Sequence, residues 1–307
     1  MGVSARGPTL GWAASRPSAV THTSVVSTPS PTYLTVGHVT RDLHPTRWEF
    51  GGTAYYSSLA AQRLGMRVTA LTRAAAADAH ALASTRSGIR WIARAASATT
   101  AMRNTYGLRG RTQHAPEVAA PFDVADLKDL PHEFSVVHLA PVVAEIGPEL
   151  LGHLPRADVT GLTAQGLLRR VAPNGAVHGR DWTDAVEFLD AIDVLVLSSE
   201  DIAFDPTSGI ERLRRAAVGV LTRGPLPVQV FADGGSSEIP VRQVADASPT
   251  GAGDVFAAAL FVGLQRSGRL GEAVQTAARV ATGWVERRWE ALPPTPPDPE
   301  IPAPDQR

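Results

Sequence analysis

Cysteine is absent from the 307 residues. That excludes disulfides, thiolate metal sites and a cysteine nucleophile. Lysine is nearly absent: Lys128 stands alone among 29 basic residues, the rest being arginine. This excludes a Walker-type loop, whose lysine reaches the phosphates, and the arginine bias itself reads as nucleotide composition. Charge of one sign is also lacking. The formal net charge is -1, so no basic surface points to nucleic acid or an acidic membrane. No apolar run reaches the length of a membrane span. The nine histidines are scattered, without zinc-ligand spacing. No internal repeat and no Ser-His-Asp arrangement with an elbow motif is present.

Apolar residues make up 44% of the chain, enough to bury a sizeable core in one large α/β domain or two small ones. The most informative stretch runs from Ser248 to Leu260. Pro249 has no amide hydrogen, and Gly251 and Gly253 permit backbone angles that a side chain forbids. The second half is apolar and Ala-rich, as a buried helix requires. A small-residue loop thus feeds a helix whose first amides point outward at the positive end of its dipole. An anion can approach them closely, and a phosphate fits. Asp254 follows in the first turn, either as an acceptor for a hydroxyl proton or as a plain helix cap.

Strand-like and helix-like segments alternate before this point. Residues 33–39 read as a buried strand, 53–64 as a helix closed by Gly65, 66–72 as a strand and 74–87 as a helix. This rhythm implies a parallel sheet with helices on both faces. Ligands bind such sheets beyond the carboxyl ends of the strands. Asp42 and Gly51-Gly52 lie on such a connection, where Asp42 is a ligand contact or a solvated turn carboxylate. Residues 99–112 read as short strands joined by a turn. Further on, 135–139, 158–162, 194–197, 218–221 and 229–232 read as strands. Residues 145–153, 184–192 and 270–289 read as helices.

Thr250-Gly251-Ala252-Gly253-Asp254 and the helix after it resemble the C-terminal motif of the ribokinase-like (PfkB) carbohydrate kinases. The block from Val36-Gly37 through Asp42 and Gly51 to Gly65 resembles the same family's sugar-binding region. The resemblance implies a ribokinase-like three-layer αβα sandwich, with a mostly parallel central sheet and a small β lid. It makes Gly251, Ala252 and Gly253 an anion hole and Asp254 the catalytic base. It gives substrate hydroxyls to Asp42, with Gly51 and Gly52 letting substrate lie against backbone. Tyr56, a substrate contact on this resemblance, stands where the family commonly has Asn, and with the lid pattern this departure points toward the inositol-kinase-like branch. Thr222-Arg223-Gly224 resembles the segment at the nucleotide phosphates, so Thr222, Gly224 and Thr250 are nucleotide contacts.

Two segments depart from the family. Thr163 replaces the Asp of a segment usually written Asp-x-Gln-Gly-x-x-Arg, with Gln165 and Arg169 read as structural. Ser199-Glu200-Asp201-Ile202, aligned on its first acid with Asn-x-x-Glu, lacks the final Glu. Glu200, or Asp201 beside it, is then the residue to hold magnesium through water, or both acids only cap the next helix. The family reading adds ATP and magnesium, with a monovalent cation, a homodimer and a cytoplasmic location as further expectations. Arg103, Asn104, Arg109 and Arg111 are lid residues that either touch substrate or face solvent. Trp284 reads as core packing on a helix face.

The expected boundaries are an extension over 1–31, a kinase domain over 32–291 with lid strands within 38–50 and 97–118, and a tail over 292–307. The extension lacks the apolar stretch of a signal peptide and reads as disorder or an early start codon. The tail is proline-rich. Two functions fit. One is an ATP-dependent kinase for a sugar, polyol or nucleoside. The other is a ligand-binding protein on the same fold, which the departures at Tyr56, Thr163 and Ile202 would suit.

Overall fold

A computed structural model describes residues 30–85, 87–107, 110–244 and 250–286. The expected disorder of the extension and tail, and the roles of Ser248, Pro249 and Arg109, fall outside these residues. The chain opens with β1 (Thr32–Val36), β2 (Thr40–Leu43), β3 (Trp48–Gly51) and α1 (Thr53–Arg63). Next come β4 (Arg67–Ala74), α2 (Ala76–Ala83), β5 (Arg90–Ala95), β6 (Ala101–Gly107) and β7 (Gly110–Glu117). β8 (Glu133–Leu139), β9 (Arg156–Thr163), β10 (Arg169–Val171), β11 (Val177–Gly179) and α3 (Ala185–Ala191) form the middle. The last third holds β12 (Val194–Ser198), α4 (Pro206–Arg215), β13 (Val218–Arg223), β14 (Leu226–Ala232), β15 (Gly235–Ile239), α5 (Ala252–Ser267) and α6 (Leu270–Val285).

Nine strands form the central sheet, in the order β15-β14-β13-β12-β9-β8-β1-β4-β5. From β13 to β5 every pairing is parallel, while β13, β14 and β15 form an antiparallel edge. Parallel strands are covered on both faces and so read as continuous apolar runs. β12, Val-Leu-Val-Leu-Ser, is such a run. Its Val194 and Val196 face the core under α5 and α6. Its Leu195 and Leu197 face the opposite core, with Phe188 of α3 and Leu213 of α4. The result is the expected three-layer αβα sandwich with a mostly parallel sheet. A second sheet, β3-β2-β6-β7, stands beside it.

The helix expected over 145–153 is a correction. Only Pro148–His153 is helical, and as a 3-10 turn. Glu145 is buried and accepts hydrogen bonds from the backbone amides of His38, Val142 and Val143 at 2.7–2.9 Å. Ala144 takes a positive φ of 62° to bring it there. Satisfying these buried amides outweighs the local helical pattern.

α5 descends across β8 and β9 because Gly161 has no side chain. A Cβ there would run into the ring of Phe261. Gly161→Ala should therefore destabilise the fold by about 1–3 kcal/mol through overpacking. Urea denaturation reads this directly, and an unchanged midpoint would show that the ring can move aside.

Candidate active site

A pocket of about 650 Å³ opens beyond the carboxyl ends of β9, β12 and β13, against β2, β6 and β7 of the small sheet. This is the place where parallel α/β sheets collect ligands. One wall is the head of α5. Gly251 caps it at φ 78°, a left-handed angle that suits glycine. A Cβ on Gly251 would sit 2.7 Å from Cγ of Tyr56. Trp284 of α6 steadies the turn by donating from Nε1 to the Thr250 carbonyl at 2.9 Å, and its ring meets Tyr56 edge-on. Trp284 thus packs as expected. Gly251, Ala252 and Gly253 all line the pocket. Among the described residues a Cβ on Gly253 would meet no atom within 4 Å, so no packing contact among them requires that glycine.

Asp254 lies just inside the helix and lines the same pocket. Desolvation pushes its carboxyl up to about 7, against a hydrogen bond from Thr53 and the attraction of Arg169, while Asp201 and Asp42 repel its charge. A base poised near neutrality is what proton transfer at ordinary pH favours.

Asp42 faces it from β2. Its Oδ1 accepts from Thr40 Oγ1 at 2.7 Å, and Tyr56 also hydrogen-bonds to the carboxylate. Burial raises its pKa despite these bonds. The glycine pair needs a correction. A Cβ on Gly51 would collide with the Asp42 carboxyl, and one on Gly52, at φ 87°, would approach the His38 carbonyl at 2.9 Å. Gly51 makes room for Asp42 itself and is not among the pocket-lining residues, whereas Gly52 is. Tyr56 bridges both halves, with its ring on Gly251 and its hydroxyl at Asp42.

Thr222, Gly224 and Thr250 line the far end with Ser198, Ser199, Glu200 and Asp201. Asp201 is anchored at the end of β12. Its Oδ2 accepts from the Ser198 amide at 2.8 Å and from Ser198 Oγ at 2.7 Å. Its Oδ1 is buried without a hydrogen bond, 3.9 Å from Nη2 of Arg169. Ser198 and Asp201, three apart and bonded to each other, are the polar partners at this strand end. Asp201 lines the pocket, and a pocket carboxylate can hold a hydrated divalent cation through water.

Thr163, Gln165 and Arg169 also line the pocket, though the last two read as structural in the sequence. Asn104 lines it from β6, held by Gln113 at 2.8 Å, whereas Arg103 is exposed. The side chain of Arg111 lies outside the described residues. Thr53 and Ser198 carry no spacing signal that sequence reasoning could have used, whereas Thr163 and Asp201 were visible as departures from family segments.

A pyrophosphate-dependent kinase of the ribokinase family, solved with a pyrophosphate analog and myo-inositol, superposes on 83% of this chain and 95% of its own, with a TM-score of 0.73 and 23% identity. The chain has the ribokinase-like fold. A nucleoside kinase of Methanocaldococcus jannaschii shares it at TM-score 0.60 and 16% identity, over 86% of this ribokinase-like chain and 98% of its own. Residues 195–293 match the pfkB family of carbohydrate kinases. The inositol 3-kinase of Zea mays is 29% identical over 178 residues, 55% of this chain and 46% of that protein. The rice enzyme of the same name matches over 45% of its length, so the chain spans about half of these curated relatives. The fructokinase of Klebsiella pneumoniae is 34% identical over 102 residues, 28% of this chain and 33% of that one.

Thr53 donates to Asp254 and so favours its ionised form. Thr53→Val keeps the shape and removes the donor. The carboxyl-carbon NMR titration of Asp254 should then shift to a pKa above about 7. A lower or unchanged value would mean that Thr53 bonds elsewhere.

Proposed function

We propose that the chain is a kinase that transfers a phosphoryl group from ATP to a hydroxyl of a cyclic polyol of the inositol type. The observation that carries this reading is Asp254, poised near neutral pKa beside the bare amides of Gly251, Ala252 and Gly253. Phosphoryl transfer asks a protein mainly for positioning and for stabilisation of spreading charge. As a carboxylate, Asp254 takes the proton of the acceptor hydroxyl, the hydroxyl oxygen bonds to the γ-phosphorus of ATP, and the bond from that phosphorus to the bridging oxygen breaks to release ADP. The loop amides hold the charge on the transferred group. Ionised Asp42 accepts only, so it suits neighbouring hydroxyl donors and disfavours an anionic acceptor. Tyr56, holding Asp42, narrows the acceptor site to a flat ring.

Val228, Val241, Ala278, Ala281 and Val285 give the pocket an apolar surface on the side of Thr222 and Gly224, beside Arg223, Arg242, Gln243 and Thr282. Pyrophosphate has no group for such a surface, and a nucleotide base does. This favours ATP over the donor named for the structural neighbour. When bound, a magnesium ion neutralises the donor phosphates. Asp201 Oδ1 would hold it through water, with Glu200 beside it. Strands β2, β3, β6 and β7 serve as the lid of a single kinase domain over residues 32–291.

The test is an assay of the purified chain with myo-inositol, ribose and adenosine as acceptors, each with Mg-ATP or Mg-pyrophosphate. Asp254→Asn should lower turnover by ~10²–10⁴ and leave ATP binding unchanged. Asp42→Ala should raise the acceptor KM by roughly 10–100-fold, since hydrogen bonds to a charged group contribute about 1.5–3 kcal/mol. Tight polyol binding without turnover on any pair would instead make the chain a binding protein.

A further inference from the structure

Behind the pocket floor runs a buried polar chain that the functional reading does not use. Tyr33 of β1 and His138 of β8 are fully buried, and Thr163 ends β9. The Tyr33 hydroxyl lies 2.9 Å from His138 Nδ1. His138 Nε2 lies 2.7 Å from Thr163 Oγ1. Register explains the grouping. β1 and β9 both pair with β8, Thr35 and Gly161 lie opposite His138, and all three side chains rise on the face that α5 covers. Phe261 of α5 seals the imidazole at a ring distance of 4.9 Å.

Proton accounting fixes the direction of this chain. A buried hydroxyl must donate, and among the described residues the only acceptor at the Tyr33 hydroxyl is His138 Nδ1. Nδ1 therefore carries no hydrogen. The ring is neutral, since burial pushes its pKa down to about 3. Its one proton sits on Nε2 and is donated to Thr163 Oγ1. The Thr163 oxygen already accepts, so its own hydrogen is free to point elsewhere. Among the described residues no protein acceptor takes it, and Thr163 lines the pocket. In the sheet order Thr163 lies between the donor end, at β12 and β13, and the acceptor end, beyond β1.

We infer that Tyr33 and His138 are positioning residues that lock Thr163 as a hydrogen-bond donor to a ligand oxygen in the middle of the pocket. The oxygen belongs to the acceptor's hydroxyls or to the group in transfer. The inference rests on the kinase reading for the ligand's identity, and not for the direction of the chain.

Two measurements test it. Long-range nitrogen–proton NMR of the histidine rings in the full chain should show His138 as the Nε2–H tautomer from pH 5.5 to 8.5. An Nδ1–H tautomer or an imidazolium overturns the proposal. Second, Thr163→Val keeps the shape and deletes the donor, and Thr163→Ser restores it. With myo-inositol and Mg-ATP as probes, Thr163→Val should lower kcat/KM by roughly tenfold and Thr163→Ser should recover it. Weaker calorimetric binding of myo-inositol alone assigns the oxygen to the acceptor. Unchanged binding with lower kcat assigns it to the transferred group. A valine variant with wild-type kinetics overturns the proposal. A wild-type chain inactive on every acceptor contradicts the kinase reading instead, and the tautomer still decides the direction.

Discussion

The left-handed turn at Gly251 is the constraint on which the pocket depends. It starts α5 at the carboxyl edge of the sheet, with no side-chain cap among the described residues. The absence of a side chain there leaves room for the Tyr56 ring, and Tyr56 in turn holds Asp42. Trp284 fixes the Thr250 carbonyl on the other side. Below, Phe261 lies flat over Gly161, so helix and sheet are locked at both ends of the same contact. Any residue but glycine at position 251 would need the strained conformation and would displace the tyrosine.

Charge in the pocket is weighted toward the acidic side. Asp42, Asp201 and Asp254 line one cavity, and Asp42 and Asp201 both raise the pKa of Asp254. Arg169 is the cation that offsets this repulsion at Asp254. A phosphate would add more negative charge. It is tolerated where helix amides point at it, and Asp201 is tolerated beside it only with a cation between. Asp254 is left as the carboxylate that exchanges its proton most easily near neutrality.

How much of this the sequence carried depended on distance along the chain. The glycine loop and Asp254 were legible because loop, helix start and carboxylate fall within five residues. Asp42 was legible as a carboxylate just past a strand. The two cores were legible in runs such as β12, where burial on both faces removes polar alternation. Glu145 was not, because its partners His38 and Val142 come from separate turns and make a loop of an apparent helix. The Ser198–Asp201 hydrogen bonds were not legible, because they depend on where β12 ends and its chain turns. Tyr33, His138 and Thr163 span more of the chain than any local pattern can, and only the sheet order brings them together. The role of Gly51 could be read only from what fills its space.

The central claim is that Asp254 acts as a base whose ionisation sets the rate. The most direct measurement is the pH dependence of kcat/KM for the polyol in the wild-type chain. The base must be ionised, so activity should fall tenfold per unit below a pKa of about 7 and level off above it. The residual activity of Asp254→Asn should show no such inflection. A wild-type profile flat from pH 5.5 to 8.5, or the same inflection in Asp254→Asn, would contradict the account.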